Sequence, residues 1–207
     1  MTAKKICPHC GDTSAQPQDD LCPACGKLLP LPPGEVDPFV LLGLEPRFDL
    51  PPAAITRARI ERSRRWHPDR FATASPTERR ISMERTAALH DALKVLSDPV
   101  ERSHALLRRA GVEIPEKCPH DPMLLMTVME RQEALVEAPE SSDPQALLFD
   151  LESQAEGDVD AAQASITARL SAPVANAEEI LKAGEAIRYH RRFIEEVDMM
   201  RERLIGD

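Results

Sequence analysis

The chain has 207 residues, a formal net charge of −9 at pH 7 and 3% aromatic residues. An acidic balance argues against general nucleic-acid binding, which needs a basic surface, and scarce aromatics argue against base-stacking platforms. No apolar run approaches the length of a membrane span, so neither nucleic acid nor membrane is an expected partner. Met1 to Ile6 holds no leader-like apolar stretch, and the cysteine usage fits a reducing compartment, so the cytoplasm is the expected location.

The first 29 residues carry four of the five cysteines, as Cys7-Pro8-His9-Cys10-Gly11 and Cys22-Pro23-Ala24-Cys25-Gly26. Two thiolates spaced this way in a tight turn can reach one ion, and two such turns complete a tetrahedral site. The glycine after each second cysteine permits the turn that brings backbone amides toward sulfur. So short a segment cannot bury enough surface to fold unaided, and a bound ion would supply the folding energy. Zinc, held by Cys7, Cys10, Cys22 and Cys25, is the expected cofactor. Disulfides fit poorly with a reducing compartment, and a thiol-redox CxxC needs a βαβ context that is not visible. Rubredoxin-like iron suits the same ligands but lacks other electron-transfer features around it. His9 is a spare ligand where four cysteines suffice. Residues 30–35, rich in proline, form a stiff linker.

Residues 36–115 read as helices. Asp37-Pro38-Phe39-Val40-Leu41-Leu42-Gly43 is a short one, and an Arg-rich run follows, ending at Arg64-Arg65-Trp66. His67-Pro68-Asp69 then stops it, because the residue before a proline is pushed out of the α region. After Arg70-Phe71 a second run from about Thr77 reaches Leu96-Ser97-Asp98-Pro99. The result is a helical hairpin with an imidazole and a carboxylate at its tip. A bland reading lets His67 and Asp69 merely cap helix ends. A hydrolase triad is disfavoured, because no nucleophile sits in a recognisable setting.

This arrangement resembles a J-domain, the module that activates DnaK-type ATPase chaperones. The resemblance implies that His67, Pro68 and Asp69 dock on the chaperone, with Arg64, Arg65 and Arg70 supplying the positive charge that steers it. One departure stands out. Positions 59 and 62 are apolar in that family and pack on the third helix, yet here both are arginine. Either their stems snorkel along the core or the helix rotates to bury Ile60.

Arg102-Ser103-His104-Ala105-Leu106-Leu107 and Gly111 follow, and Glu113 to Pro119 breaks the pattern. Cys118 stands alone there, as a packed residue or as a metal ligand near His104 or His120. From residue 120 to 207 the chain is helical in period, with helices expected at about 122–138, 144–171 and 175–205. Asp143 before Pro144 is an N-cap signal. Three such helices with short connections make an antiparallel bundle. At about 100° per residue, Leu125, Met126, Met129, Glu130, Glu133 and Glu137 share one face, while Leu124, Val128 and Leu135 form the adjoining core stripe. Met at helical spacing is most often packing, but an apolar strip edged by carboxylates also suits an adaptable partner.

With these helices, the match from Val36 onward is similar to the HscB family, the J-proteins of iron–sulfur cluster assembly. Some members carry a comparable cysteine module. The resemblance implies that Leu125, Met126, Met129, Glu130, Glu133 and Glu137, completed by Tyr189, bind the IscU-type scaffold protein, while the J-domain serves a DnaK/HscA-type ATPase chaperone. The expected fold is all-α: a zinc-knuckle module, a J-domain hairpin and a three-helix scaffold-binding bundle. Such a chain activates a partner ATPase and is not itself an enzyme. Competing readings are a general J-domain co-chaperone for another client, and a thiol-redox or zinc interaction protein.

Overall fold

A computed structural model describes residues 6–16, 19–119 and 121–206. These residues form seven α-helices and one isolated antiparallel bridge, Leu21 to Leu28, inside the cysteine region. No helix among them is long and apolar enough to cross a membrane. The all-α expectation holds. The chain divides into two compact units, Met1–Asp98 and Pro99–Asp207.

In the first unit, α1 (Pro38–Leu42) starts where the Asp37 side chain accepts from the Phe39 and Val40 amides. It ends at Gly43, whose φ of 70° is the left-handed conformation that glycine adopts cheaply. Helix α2 (Pro52–Trp66) and helix α3 (Pro76–Ser97, capped by Ser75) form the hairpin, joined by a 3-10 turn at Pro68–Phe71. Both α1 and α2 pack on α3. The buried stripe of α3 is Ile81, Ser82, Arg85, Leu89, Ala92 and Leu96. Ile55 and Trp66 are the buried residues of α2. Ile60 stays exposed, so α2 keeps its register and does not rotate. Arg59 and Arg62 are half-buried instead, as the snorkelling alternative requires.

The cysteine module belongs to this unit. Leu28 and Leu29 are fully buried, so the residues leading into the 30–35 stretch serve as packing as well as connection. The sequence reading set the module apart as a separate region; the structure lays it against α2 and α3.

The second unit begins with α4 (Pro99–Arg109), whereas the sequence reading grouped residues 99–115 with the hairpin. Helix α4 packs on α7, and Gly184 allows the approach: a Cβ there would lie 3.2 Å from the Val100 side chain. Then come α5 (Pro122–Glu137), α6 (Pro144–Arg169) and α7 (Ala177–Gly206). Asp143 caps α6 by accepting from the Ala146 amide. Ion pairs Arg201–Glu152 and Arg131–Asp158 and the contact of Asn176 with the Arg169 carbonyl set α6 antiparallel to both neighbours. Their core is Leu135, Ala138, Leu148, Leu151, Ala155, Phe193 and Val197. Half-buried polar groups and the buried His190 join the outer helices: Arg131 lies 3.2 Å from His190 Nδ1, and Gln132 donates to Glu196.

Candidate functional site

The turn at the tip of the α2–α3 hairpin is exposed but anchored from behind. Asp69 is 90% exposed at its side chain and His67 is 49% exposed. Pro68 opens the 3-10 turn, and the Asp69 amide donates to His67 Nδ1 at 3.3 Å. Nδ1 also lies 3.5 Å from an Asp69 carboxylate oxygen, so the turn holds imidazole and carboxylate side by side. Behind the turn, the Trp66 carbonyl would be an orphan acceptor at the end of α2. Ser82 Oγ of α3 donates to it at 2.5 Å and Thr86 Oγ1 at 3.4 Å. Arg70 reaches back to donate to the Arg64 carbonyl at 2.7 Å, tying the start of α3's approach to the end of α2. Arg64 is exposed, and Arg65 bonds Glu61 at 3.0 Å while lying 3.9 Å from Asp20. His67, Pro68, Asp69, Arg64, Arg65 and Arg70 are thus gathered around one turn.

The two cysteine knuckles have matching geometry. In each, the glycine amide donates back to the first cysteine carbonyl: Gly11 to Cys7 at 2.9 Å and Gly26 to Cys22 at 2.8 Å. Gly11 and Gly26 both have positive φ, 75° and 69°. The four ligand sulfurs lie within 4.8 Å of one another. Cys7 Sγ is 3.7 Å from Cys25 Sγ, and Cys10 Sγ is 3.7 Å from Cys22 Sγ. A tetrahedron of thiolates about 2.3 Å from a zinc ion has sulfur–sulfur edges of about 3.8 Å, so the set fits such an ion. Burial raises the Cys7 thiol, but amides of His9 and Cys10 outweigh it and bring the group down to about 7. At Cys10 the Asp12 amide pulls down, yet burial and the other three cysteines push the thiol up to about 12. Four thiolates at this spacing need a cation between them. His9 lies outside the set. Among the described residues no other group of three or more His, Cys, Asp or Glu side chains is close enough to share an ion. Cys118 is half-buried and its thiol is pushed up by burial and by Glu185; His120 lies outside the described residues.

Helix α5 presents the third feature. Leu124 and Leu135 are buried and Val128 half-buried, as the core stripe predicts. Leu125, Met126 and Met129 are exposed, Met129 to 64%, alongside exposed Glu130, Glu133 and Glu137. Tyr189 is half-buried on α7, next to His190, which meets α5 through Arg131.

Sequence reasoning missed Asp20 and Arg85. Arg85 is 2% exposed and donates from Nη1 to Asp20 Oδ1 at 2.9 Å and from Nε to the Leu29 carbonyl at 2.7 Å. Arg62 Nη1 donates to the other oxygen, Oδ2, at 3.1 Å. A signal existed: positions 81, 85, 89, 92 and 96 form a helical core stripe with a charged residue inside it.

A family model described as the HSCB C-terminal oligomerisation domain matches residues 120–198. A co-chaperone protein HscB homolog from Aliivibrio fischeri is 34% identical over 180 residues, covering 81% of this chain and 98% of the relative. The structure of chaperone HscB from Vibrio cholerae covers 82% of this chain and 99% of its own, with a TM-score of 0.71 and 27% identity. The crystal structure of human co-chaperone protein HscB covers 94% of this chain and 98% of its own, with a TM-score of 0.81 and 25% identity. The human match leaves about 12 of the 207 residues outside it, fewer than the 29 at the N-terminus, so it takes in part of the cysteine module. A fold shared along nearly the whole of these proteins, an exposed His-Pro-Asp turn and sequence identity sustained over 180 residues lead to one assignment: the chain belongs to the HscB family of co-chaperones.

Proposed function

We propose that this chain is an adaptor that brings an IscU-type iron–sulfur scaffold protein to a DnaK/HscA-type ATPase chaperone and stimulates ATP hydrolysis there. The observation that carries the reading is the exposed His67-Pro68-Asp69 turn, backed by the buried Ser82–Trp66 contact, in a chain of the HscB family. Asp69 has its carboxylate in solvent, where an arginine of the chaperone can donate charge-assisted bonds to it. His67 offers its imidazole as a directional hydrogen-bonding group, and Pro68 keeps the two side chains at fixed separation. Arg64, Arg65 and Arg70 draw in an acidic partner surface, an effect that raises the association rate more than the affinity.

The scaffold surface in this reading is Leu125, Met126, Met129, Glu130, Glu133, Glu137 and Tyr189. Its support is the exposure of three large apolar side chains beside three carboxylates on one helix. Flexible methionines suit a surface that must fit a partner without a preformed pocket. Holding the scaffold on the same chain as the docking turn raises its effective concentration at the chaperone. The protein does no chemistry itself; the cluster is cargo. Cys7, Cys10, Cys22 and Cys25 hold structural zinc, which cross-links the two knuckles and leaves no open coordination position. The cytoplasm is the compartment, where thiols stay reduced.

The test is single-turnover ATP hydrolysis by the chaperone from the same source, with and without its scaffold. The intact chain stimulates hydrolysis, scaffold increases the effect, and His67→Gln lowers it ten-fold or more. Stimulation indifferent to scaffold would remove the iron–sulfur part of the reading; no stimulation would remove all of it.

A further inference from the structure

The zinc module meets the α2–α3 hairpin at the Asp20 carboxylate, with the Lys27–Glu78 ion pair beside it. Asp20 lies two residues before Cys22, on the segment that pairs with residues 27–29. Its carbonyl accepts from the Leu29 amide at 2.9 Å, Cys22 N donates to the Lys27 carbonyl at 2.8 Å, and Leu21 bridges Leu28. The second knuckle thus holds the Asp20 carboxylate and the Leu29 carbonyl side by side. Arg85 of α3 donates to both. Arg62 of α2 donates to the second oxygen of Asp20. The two guanidinium groups also flank Trp66, at 4.9 Å for Arg85 and 5.5 Å for Arg62 from the ring centroid. Trp66 is 1% exposed and immediately precedes His67.

Arg85 stands in the buried stripe of α3 between Ile81 and Leu89, at a position where an apolar residue is the ordinary choice. A buried cation is tolerated only when its counter-charge is held in place, and removing one partner of such a pair is far more damaging than never having built it. The counter-charge here comes from a short segment whose own buried cluster is Cys7, Ala15, Cys22 and Leu29. Two of those four are metal-facing cysteines. Without an ion the segment loses its order, both acceptors leave, and Arg85 and Trp66 lose their cover together.

We propose that Asp20 and Arg85 couple the four-cysteine site to the hairpin, so that the metal-loaded module is the buttress positioning the His67-Pro68-Asp69 turn. This rests on zinc occupying the cysteines. Arg59 and Arg62, which depart from the apolar pattern of J-domains, are then not a damaged core: Arg62 is part of the seam that receives the module. Asp20 and Arg85 are positioning residues, acting through Trp66 and the end of α2.

Coupling between two sites is reciprocal. If the ion supports the hairpin, the hairpin supports the ion, and an α3 substitution far in sequence from any cysteine weakens metal retention. The experiment uses the full chain loaded with Zn2+, with two readouts: emission of Trp66, the only tryptophan in the chain, and Zn2+ retention against a chromogenic chelator. Stripping Zn2+ is expected to shift Trp66 emission to the red. Arg85→Gln is expected to weaken Zn2+ retention roughly ten-fold with every cysteine intact. Asp20→Asn, which keeps the side-chain size and an acceptor oxygen for Arg85 but removes the charge, is expected to red-shift Trp66 with Zn2+ still bound. Arg80→Gln, which removes an exposed ion pair with Glu84 within α3, leaves both readouts unchanged. Zn2+ loss without any change at Trp66, or Arg85→Gln retaining Zn2+ as the parent does, overturns the coupling while leaving zinc binding and chaperone stimulation standing. A chain that takes up no Zn2+ overturns the zinc assignment and the coupling together.

Discussion

Gly43 shows how one residue serves two constraints. Its φ of 70° ends α1, and a Cβ built there would lie 2.5 Å from Arg62 Nη2. Arg62 cannot swing freely away, because Asp20 holds its guanidinium. Alanine at this position therefore meets left-handed strain of about 1–2 kcal/mol and also displaces a seam residue. We expect Gly43→Ala to lower the urea midpoint by more than that equivalent; a loss no larger than the strain alone would show that Arg62 can leave Asp20 without cost. The spacing of the knuckles and the proline after His67 are plain in the sequence, since each acts over two to four residues. The partner of Arg62 is not, since Asp20 is 42 residues away.

Among the elements, α4, α5, α6 and α7 carry two buried histidines that make the second unit sensitive to acid. His190 is buried on α7, and Arg131, which can only donate, faces its Nδ1. The ring is therefore neutral with its proton on Nε2, 3.8 Å from Asp158. Burial lowers its pKa; Asp158 opposes this and Arg131 adds to it. His104 on α4 is likewise lowered by burial, against Glu101 and Glu185 and together with Arg188 and Arg108. A histidine whose folded pKa lies below its unfolded value near 6.5 binds more protons when unfolded. Its contribution to stability is present above about pH 6.5 and is lost as pH falls through the folded value. The thermal midpoint of the unit is expected to drop from pH 7 to pH 5, with a shallower slope in His190→Gln. A slope identical in the variant would assign the acid sensitivity elsewhere. The boundaries of α5 to α7 were largely legible, because Asp121 and Asp143 cap helices that open on proline. The grouping of α4 with α7 was not, because it depends on the space left at Gly184.

For the whole molecule, the adaptor reading requires the docking turn and the α5 face on one chain. Met126 is exposed, so Met126→Asp should leave stability within about 0.5 kcal/mol of the parent while weakening scaffold binding on the order of ten-fold or more. Mixing His67→Gln chains with Met126→Asp chains should not restore scaffold-enhanced ATP hydrolysis, because neither chain then brings scaffold and docking turn together. Restoration in the mixture would show that the two surfaces work in separate molecules. Much of this was set by sequence alone. The prolines and caps place the helices and the His-Pro-Asp tripeptide ends α2, through interactions between residues a few positions apart, and the paired CxxC motifs converge on one site across no more than 18 positions. The tertiary structure decided where the charged residues within the apolar stripes go. Arg85 meets Asp20 across 65 residues, and no periodicity along the chain encodes that meeting. A guanidinium reads as a core defect until the carboxylate that neutralises it has been folded against it.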